Sequence, residues 1–356
     1  AGALAAGGII SLVKSLPLII RTFRDAMKSL KGNTNTNTTR TGQDLNMGVI
    51  LGGVLLITIA IWLAPPIPVT FMGAIIVVIF GFFFATVSSR MVGLVGSSNN
   101  PVSGMAIATL LIATILLKAT GDSGIHGMQG AIAIGSIICI VAAIAGDTSQ
   151  DLKTGYLLGS TPKKQQIGEF IGVFAAALAI GGVLYLLNAA WGFGSEELGA
   201  PQAMLMKMIV EGVMENNLPW TLVFIGVFLA IAVEIVGIPV LPFAIGVYLP
   251  VQLNACIMVG GLVRLVFDKM NMKDKKKKDA IVNDGVLYCS GMIAGEGLVG
   301  ILLAVFAVFH IDKAIDLSSR LNLPAAVSNI GSLVVFALVI LSLLKFSLWR
   351  KRKENK

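Results

Sequence analysis

The chain has 356 residues, of which 56% are hydrophobic and 13% charged, and its mean hydropathy is +0.87. Soluble domains carry about 25% charged residues, so this composition excludes a soluble enzyme or scaffold and predicts an all-α, polytopic membrane protein. The formal net charge of +8 does not point to nucleic acid, because Lys and Arg cluster in short segments beside apolar runs, where the positive-inside rule expects them.

Apolar runs fall at residues 1–20, 47–64, 68–88, 102–118, 127–146, 166–190, 219–237, 243–267, 286–309 and 329–348. Most approach the ~20 residues that a helix needs to cross a bilayer. They predict one transmembrane domain of helices over the whole chain, 1–356, with no room for a soluble domain. The first run opens at Ala1 without a Met or a charged region before it. It is therefore not a signal peptide, and the expectation is a piece of a longer polypeptide.

Lys14, Arg21, Arg24, Lys28, Lys31 and Arg40 mark a cytoplasmic loop after this run. The Asn/Thr tract within 31–44 reads as a flexible linker. The next informative stretch is the polar break Ser97-Ser98-Asn99-Asn100-Pro101-Val102-Ser103-Gly104, between two apolar runs. Pro101 lacks a backbone donor, and Gly104 permits backbone geometry that other residues resist. At membrane depth, irregular backbone survives only inside protein or beside a watery cavity. Asn99, Asn100, Pro101, Ser103 and Gly104 are thus candidates for a solute pathway; the alternative is an ordinary turn between two spans.

Residues 146–168 read GDTSQDLKTGYLLGSTPKKQQIG. Asp147 and Asp151 would share a helical face, and neighbouring carboxylates raise each other's proton affinity. With Lys153 they could form a charged gate or coupling network, against the plainer reading of a solvated cytoplasmic loop. Ser195–Asn217 is acidic and is expected to face outward.

The stretch from Pro219 to Phe267 must then begin outside and end inside, before the basic cluster Lys275–Lys278. It is too long for one span and has the wrong parity for two. Pro239 and Pro242, followed by Pro250, predict a broken or re-entrant element that restores the parity. Paired interruptions of apolar helices are a pointer to a transporter site. Glu234, just before this break, and Glu296, between Gly295 and Gly297, lie inside apolar runs. A lone charge there costs at least about 2.5–3.5 kcal/mol, so each must be neutral, paired or facing water. They are the candidate proton carriers, unless they only hydrogen-bond neighbouring helices. Residues 345–356 form a basic tail, expected to be cytoplasmic.

No metal-ligand spacing and no phosphate-binding loop occurs, so no cofactor is expected. An intramembrane aspartyl protease would need a Gly two residues before Gly146; Ile144 stands there. No enzyme is expected. A gated channel is the alternative from another class, because broken helices also build filters.

SSNNPVSGM at 97–105, the long string GDTSQDLKTGYLLGSTPKKQQIGE at 146–169, EIVGIPVLPFAIGVYLP at 234–250 and SGMIAGEGLVG at 290–300 together resemble the oligopeptide transporter (OPT) family, its prokaryotic branch above all. The resemblance implies a secondary transporter in the inner membrane, with a peptide or a metal–chelator complex as substrate and a cation gradient, usually protons, as drive. Family members are about twice this long, so the resemblance also implies that this is the C-terminal half, holding substrate against an N-terminal half.

Overall fold

The computed structural model describes residues 2–31, 39–95, 100, 102–195, 197–217, 219–270, 275–311 and 324–349. The helices are α1 (Gly2–Lys31), α2 (Met47–Leu63), α3 (Phe71–Val95), α4 (Val102–Ala119), α5 (Gly124–Leu158) and α6 (Pro162–Ala190). They are followed by α7 (Pro201–Met214), α8 (Trp220–Ile235), α9 (Val240–Tyr248), α10 (Val251–Lys269), α11 (Lys275–Val308) and α12 (Ala325–Trp349). No strand occurs among the described residues, and seven helical segments are long and apolar enough to cross a membrane. The all-α polytopic class follows, as the hydropathy predicted.

The chain divides into two compact units, one of residues Ala1–Ala176 with Pro201–Leu249 and one of Ala177–Ala200 with Pro250–Lys356. The core of the first lies among α1, α3, α4, α5 and α7, where Phe84, Met105, Leu110, Ile134, Ile138 and Val210 are fully buried. In lipid no hydrophobic force separates helix faces from solvent, so close backbone approach at small residues carries the packing. Gly135 receives Leu110 and Gly130 receives Leu117, which sets α4 antiparallel to α5. Gly73 against Ile134, Gly81 against Ile138 and Gly93 against Ser149 set α3 parallel to α5. Thr109 and Thr114, buried on α4, return their hydroxyls to the carbonyls of Met105 (2.9 Å) and Leu110 (2.6 Å), so neither is left unsatisfied.

Helix α1 runs parallel to α8. Gly2 meets Val223, Gly226 meets Ala3, and Lys14 meets Glu234. On another face of α1, a Cβ at Gly8 would strike the Gly104 carbonyl of α4. Gly8→Val is therefore expected to cost about 2 kcal/mol or more, as overpacking against backbone does. Thermal unfolding of the purified protein checks it, with Gly52→Ala, which meets nothing within 4 Å, as the neutral control.

In the second unit α11 lies against α12. Tyr288 Oη and Ser342 Oγ are 2.8 Å apart, and Gly285 faces Ser347. Arg264 and Asp268 pair at 3.1 Å on α10, and Lys278 donates to the Asp268 carbonyl.

Several sequence expectations change. Lys14 is not in a loop: α1 continues to Lys31, with Pro17 inside it. Residues 39–44 are not a free linker, because they dock on the turn between α5 and α6. Arg40 Nη2 donates to the Gly159 carbonyl at 2.7 Å, and the Lys163 amide to the Gln43 carbonyl at 2.8 Å. The polar string after Gly146 is not a loop either; α5 carries it to Leu158 and stops at Gly159, whose φ of 73° is the left-handed cap a glycine supplies readily. Ser195–Asn217 contains α7, whose Leu205, Ile209, Val210 and Val213 recur at helical spacing and are buried. The rest of the linker, residues 32–38, and the tail, 350–356, lie outside the described residues.

Candidate functional site

Helix interruptions occur between α3 and α4 and between α8 and α9, both offset from the residues that the sequence pointed to. Between α3 and α4, Asn100 is non-helical and its carbonyl accepts from the Val102 amide at 2.9 Å. Asn99 and Pro101 lie outside the described residues. Ser103 and Gly104 are a correction: both belong to the first turn of α4, and the Gly104 carbonyl packs on Gly8 instead of lining unwound backbone. Between α8 and α9, Gly237 takes φ 85°, and Pro239 becomes the N-cap of α9. Pro242 sits in the first turn of α9, where an amide has no intrahelical partner to lose. The sequence placed the break across Pro239 and Pro242; the helix is interrupted at 236–239, ahead of Pro242, and again at 249–250.

Asn100 reaches into a polar node made by two helices, α3 and α5. Its Nδ2 donates to the Ala142 carbonyl of α5 at 3.2 Å, and Ser88 Oγ of α3 donates to the same carbonyl. Ser149 Oγ of α5 returns a bond to the Ser89 carbonyl at 2.6 Å. Gly146 makes room: a Cβ there would lie 2.6 Å from Asn100 Nδ2 and 3.0 Å from Ser88 Oγ. The Asn100 amide orientation follows from chemistry, since the Ala142 carbonyl can only accept. Its Oδ1 is then left buried with no hydrogen-bond partner among the described residues. A buried acceptor without a partner is costly and complements a donor such as a peptide N–H or an ammonium.

One turn further along α5, Asp147, Asp151 and Lys153 are all exposed, and no ion pair joins them among the described residues. Lys153 instead lies 5.8 Å over the Tyr156 ring. The α5–α6 hairpin is held by other groups. Gln165 donates to the Asp151 carbonyl at 2.5 Å, with its Oε1 against Gly155, and Thr148 hydrogen-bonds Glu169. The sequence reading missed Glu169 and Thr148, although both lie in the polar string. It also missed Ser88, whose pairing with Ser89 in an apolar helix was the visible signal.

Of the two intramembrane acids, Glu234 is paired. Lys14 on α1 reaches its carboxylate across 220 residues of sequence. Lys14 therefore pairs with an acid that the sequence left unpartnered, and it sits at the C-terminal end of α8, where the helix dipole favours a cation. Glu296 lies on an exposed face of α11 beside Gly295 and Gly297, where an added Cβ would meet no neighbouring atom within 4 Å, and it has no ion pair among the described residues. No group of three or more His, Cys, Asp or Glu that could hold a metal occurs among the described residues.

The chain matches the family described as OPT oligopeptide transporter protein over residues 1–307. A Haemophilus influenzae protein named for oligopeptide transport is 31% identical over 349 residues, covering 85% of this chain and 55% of that protein. An Arabidopsis thaliana protein named for metal–nicotianamine transport is 28% identical over 231 residues, covering 58% of this chain and 30% of its own length. A Saccharomyces cerevisiae protein named for oligopeptide transport is 23% identical over 284 residues, covering 74% and 38%. The chain thus spans about half the length of the Haemophilus relative and less of the other two. No solved structure matches.

Proposed function

Because this chain belongs to the OPT oligopeptide transporter family, we propose that it works as part of a proton-coupled secondary transporter that takes up small peptides by alternating access. The observation that carries the substrate reading is the orphaned Asn100 Oδ1 beside the α3–α4 interruption. Peptides are rich in N–H donors, and this acceptor is buried, on an amide whose Nδ2 is held by the Ala142 carbonyl. The name of the Haemophilus relative supports the same class. Asn99, Pro101 and the two prolines at the α8–α9 interruption, Pro239 and Pro242, are proposed to complete the pathway. Asp147, Asp151 and Lys153 are proposed to gate it from the cytoplasmic end, and Glu234 and Glu296 to carry the coupled proton.

The proposed setting is the inner membrane, with the C-terminus and the Arg40, Lys163 and Lys164 face cytoplasmic. The parallel course of α1 and α8 supports this, since it puts the basic end of α1 on the side where α8 ends. The chain is proposed to be one transmembrane domain that meets its substrate together with an N-terminal half. A second reading, a metal–chelate substrate, is favoured by the Arabidopsis relative's name.

Uptake into proteoliposomes of the full-length protein tests this. Peptides are expected to accumulate above equilibrium when the outside is acidic, and a protonophore is expected to abolish the accumulation. Accumulation of metal chelates alone would transfer the assignment to the second reading. Equilibration without accumulation would mean a channel.

A further inference from the structure

A cavity of about 390 Å³ opens where the segment after Thr39 docks on the α5–α6 turn, lined by Arg40, Ser160, Thr161, Lys164 and Gln165. Its walls are fixed. Arg40 Nη2 holds the Gly159 carbonyl at 2.7 Å, the Lys163 amide holds Gln43 at 2.8 Å, and the Leu45 amide reaches Gln166 Oε1 at 3.1 Å. The first amides of α6 are already used, because those of Lys164 and Gln165 both donate to the Thr161 carbonyl, at 3.1 and 3.2 Å. What remains to face a ligand is side-chain chemistry. Arg40 has five N–H donors and commits one nitrogen; Lys164 brings an ammonium, and Ser160 and Thr161 bring hydroxyls.

The charge here is uncompensated. Arg40, Lys163 and Lys164 form no ion pair with any described carboxylate. The single acid on the docked segment near them, Asp44, accepts from Gln166 Nε2 at 3.5 Å instead. A polar cavity with an Arg fork, a Lys point charge and two hydroxyls matches a tetrahedral oxyanion. Beside a membrane, basic pockets of this kind take acidic headgroups.

We propose that this cavity binds a phosphate group, either the phosphodiester of an acidic phospholipid or free phosphate, bridged between Arg40 and Lys164. The bound group would clamp the α1–α2 connection to the α5–α6 hairpin. This rests on the cavity alone and is independent of the transported substrate.

The test is the unfolding temperature of the full-length protein, delipidated in detergent at constant ionic strength. It is titrated with short-chain phosphatidylglycerol, short-chain phosphatidylcholine and inorganic phosphate. A ligand that binds only the folded state raises the midpoint. Phosphatidylglycerol is expected to stabilise and phosphatidylcholine not to; a matching response to inorganic phosphate identifies the free ion as a sufficient ligand. Arg40→Gln with Lys164→Gln is expected to weaken the response about tenfold. Arg40→Lys, which keeps the charge but loses the fork, should fall between, and Lys345→Gln should respond as the wild type. Equal responses to both lipids, or an unchanged response in the Arg40→Gln/Lys164→Gln variant, would overturn the site.

Discussion

Gly146→Ala is expected to reduce peptide uptake about tenfold or more while leaving the protein folded. Alanine is the better helix former, so any loss cannot come from α5 itself. It comes from space. The added Cβ would sit 2.6 Å from Asn100 Nδ2, 3.0 Å from Ser88 Oγ and 3.0 Å from Val92 Cγ2. The Asn100 amide is the mobile partner, and it must swing away from the Ala142 carbonyl. One net hydrogen bond is worth about 1 kcal/mol, too little to unfold the chain. Misplacing the Oδ1 proposed to face substrate, however, would raise the transport barrier, and each 1.36 kcal/mol there is about tenfold in rate. Asn100→Ala should show the same loss by removing the acceptor outright. The double variant should be no worse than either single one, because both act through one group. Initial uptake rates, measured beside detergent-solubilised unfolding curves, decide it. Normal rates in both single variants would remove Asn100 from the pathway.

Lys14→Met is expected to lower folded yield and stability by about 2–3 kcal/mol, the insertion cost of leaving Glu234 alone at membrane depth. Glu234→Leu should cost a similar amount by isolating Lys14. Combining them as Lys14→Met/Glu234→Leu should recover most of the stability, since replacing both partners of an ion pair by apolar groups is often neutral. Transport separates a structural pair from a coupling one. If the pair couples protons to substrate, the double variant folds but no longer accumulates peptide against a pH gradient. Normal gradient-driven accumulation in the double variant would leave Glu234 a packing residue and move coupling to Glu296.

The sequence by itself determined the class of this protein. Hydropathy is a sum over neighbouring residues, so 56% apolar content in repeated runs predicts helices in a bilayer without any knowledge of their packing. The α8–α9 interruption was legible for the same reason, because Pro239 acts through local backbone geometry; the positive φ of Gly237 beside it came only with the structure. The long polar string at 146–169, together with the stretches at 97–105, 234–250 and 290–300, brought the family to view. Local logic failed where a polar sequence remained helical. The charges from Asp147 to Lys164 ended the apolar run, yet α5 continues to Leu158, since helical hydrogen bonds need no apolar face and α6 covers one side with Gln165 and Glu169. Tertiary structure alone decided the rest. Lys14 looked like a topology signal until the parallel packing of α1 on α8, allowed by Gly2 and Gly226, brought it to Glu234. Asn100 looked like one of several polar residues in a break until α5 supplied the Ala142 carbonyl and the space at Gly146. Both depend on how closely two backbones approach, which is set by glycines on different helices and is not a property of any one stretch of chain.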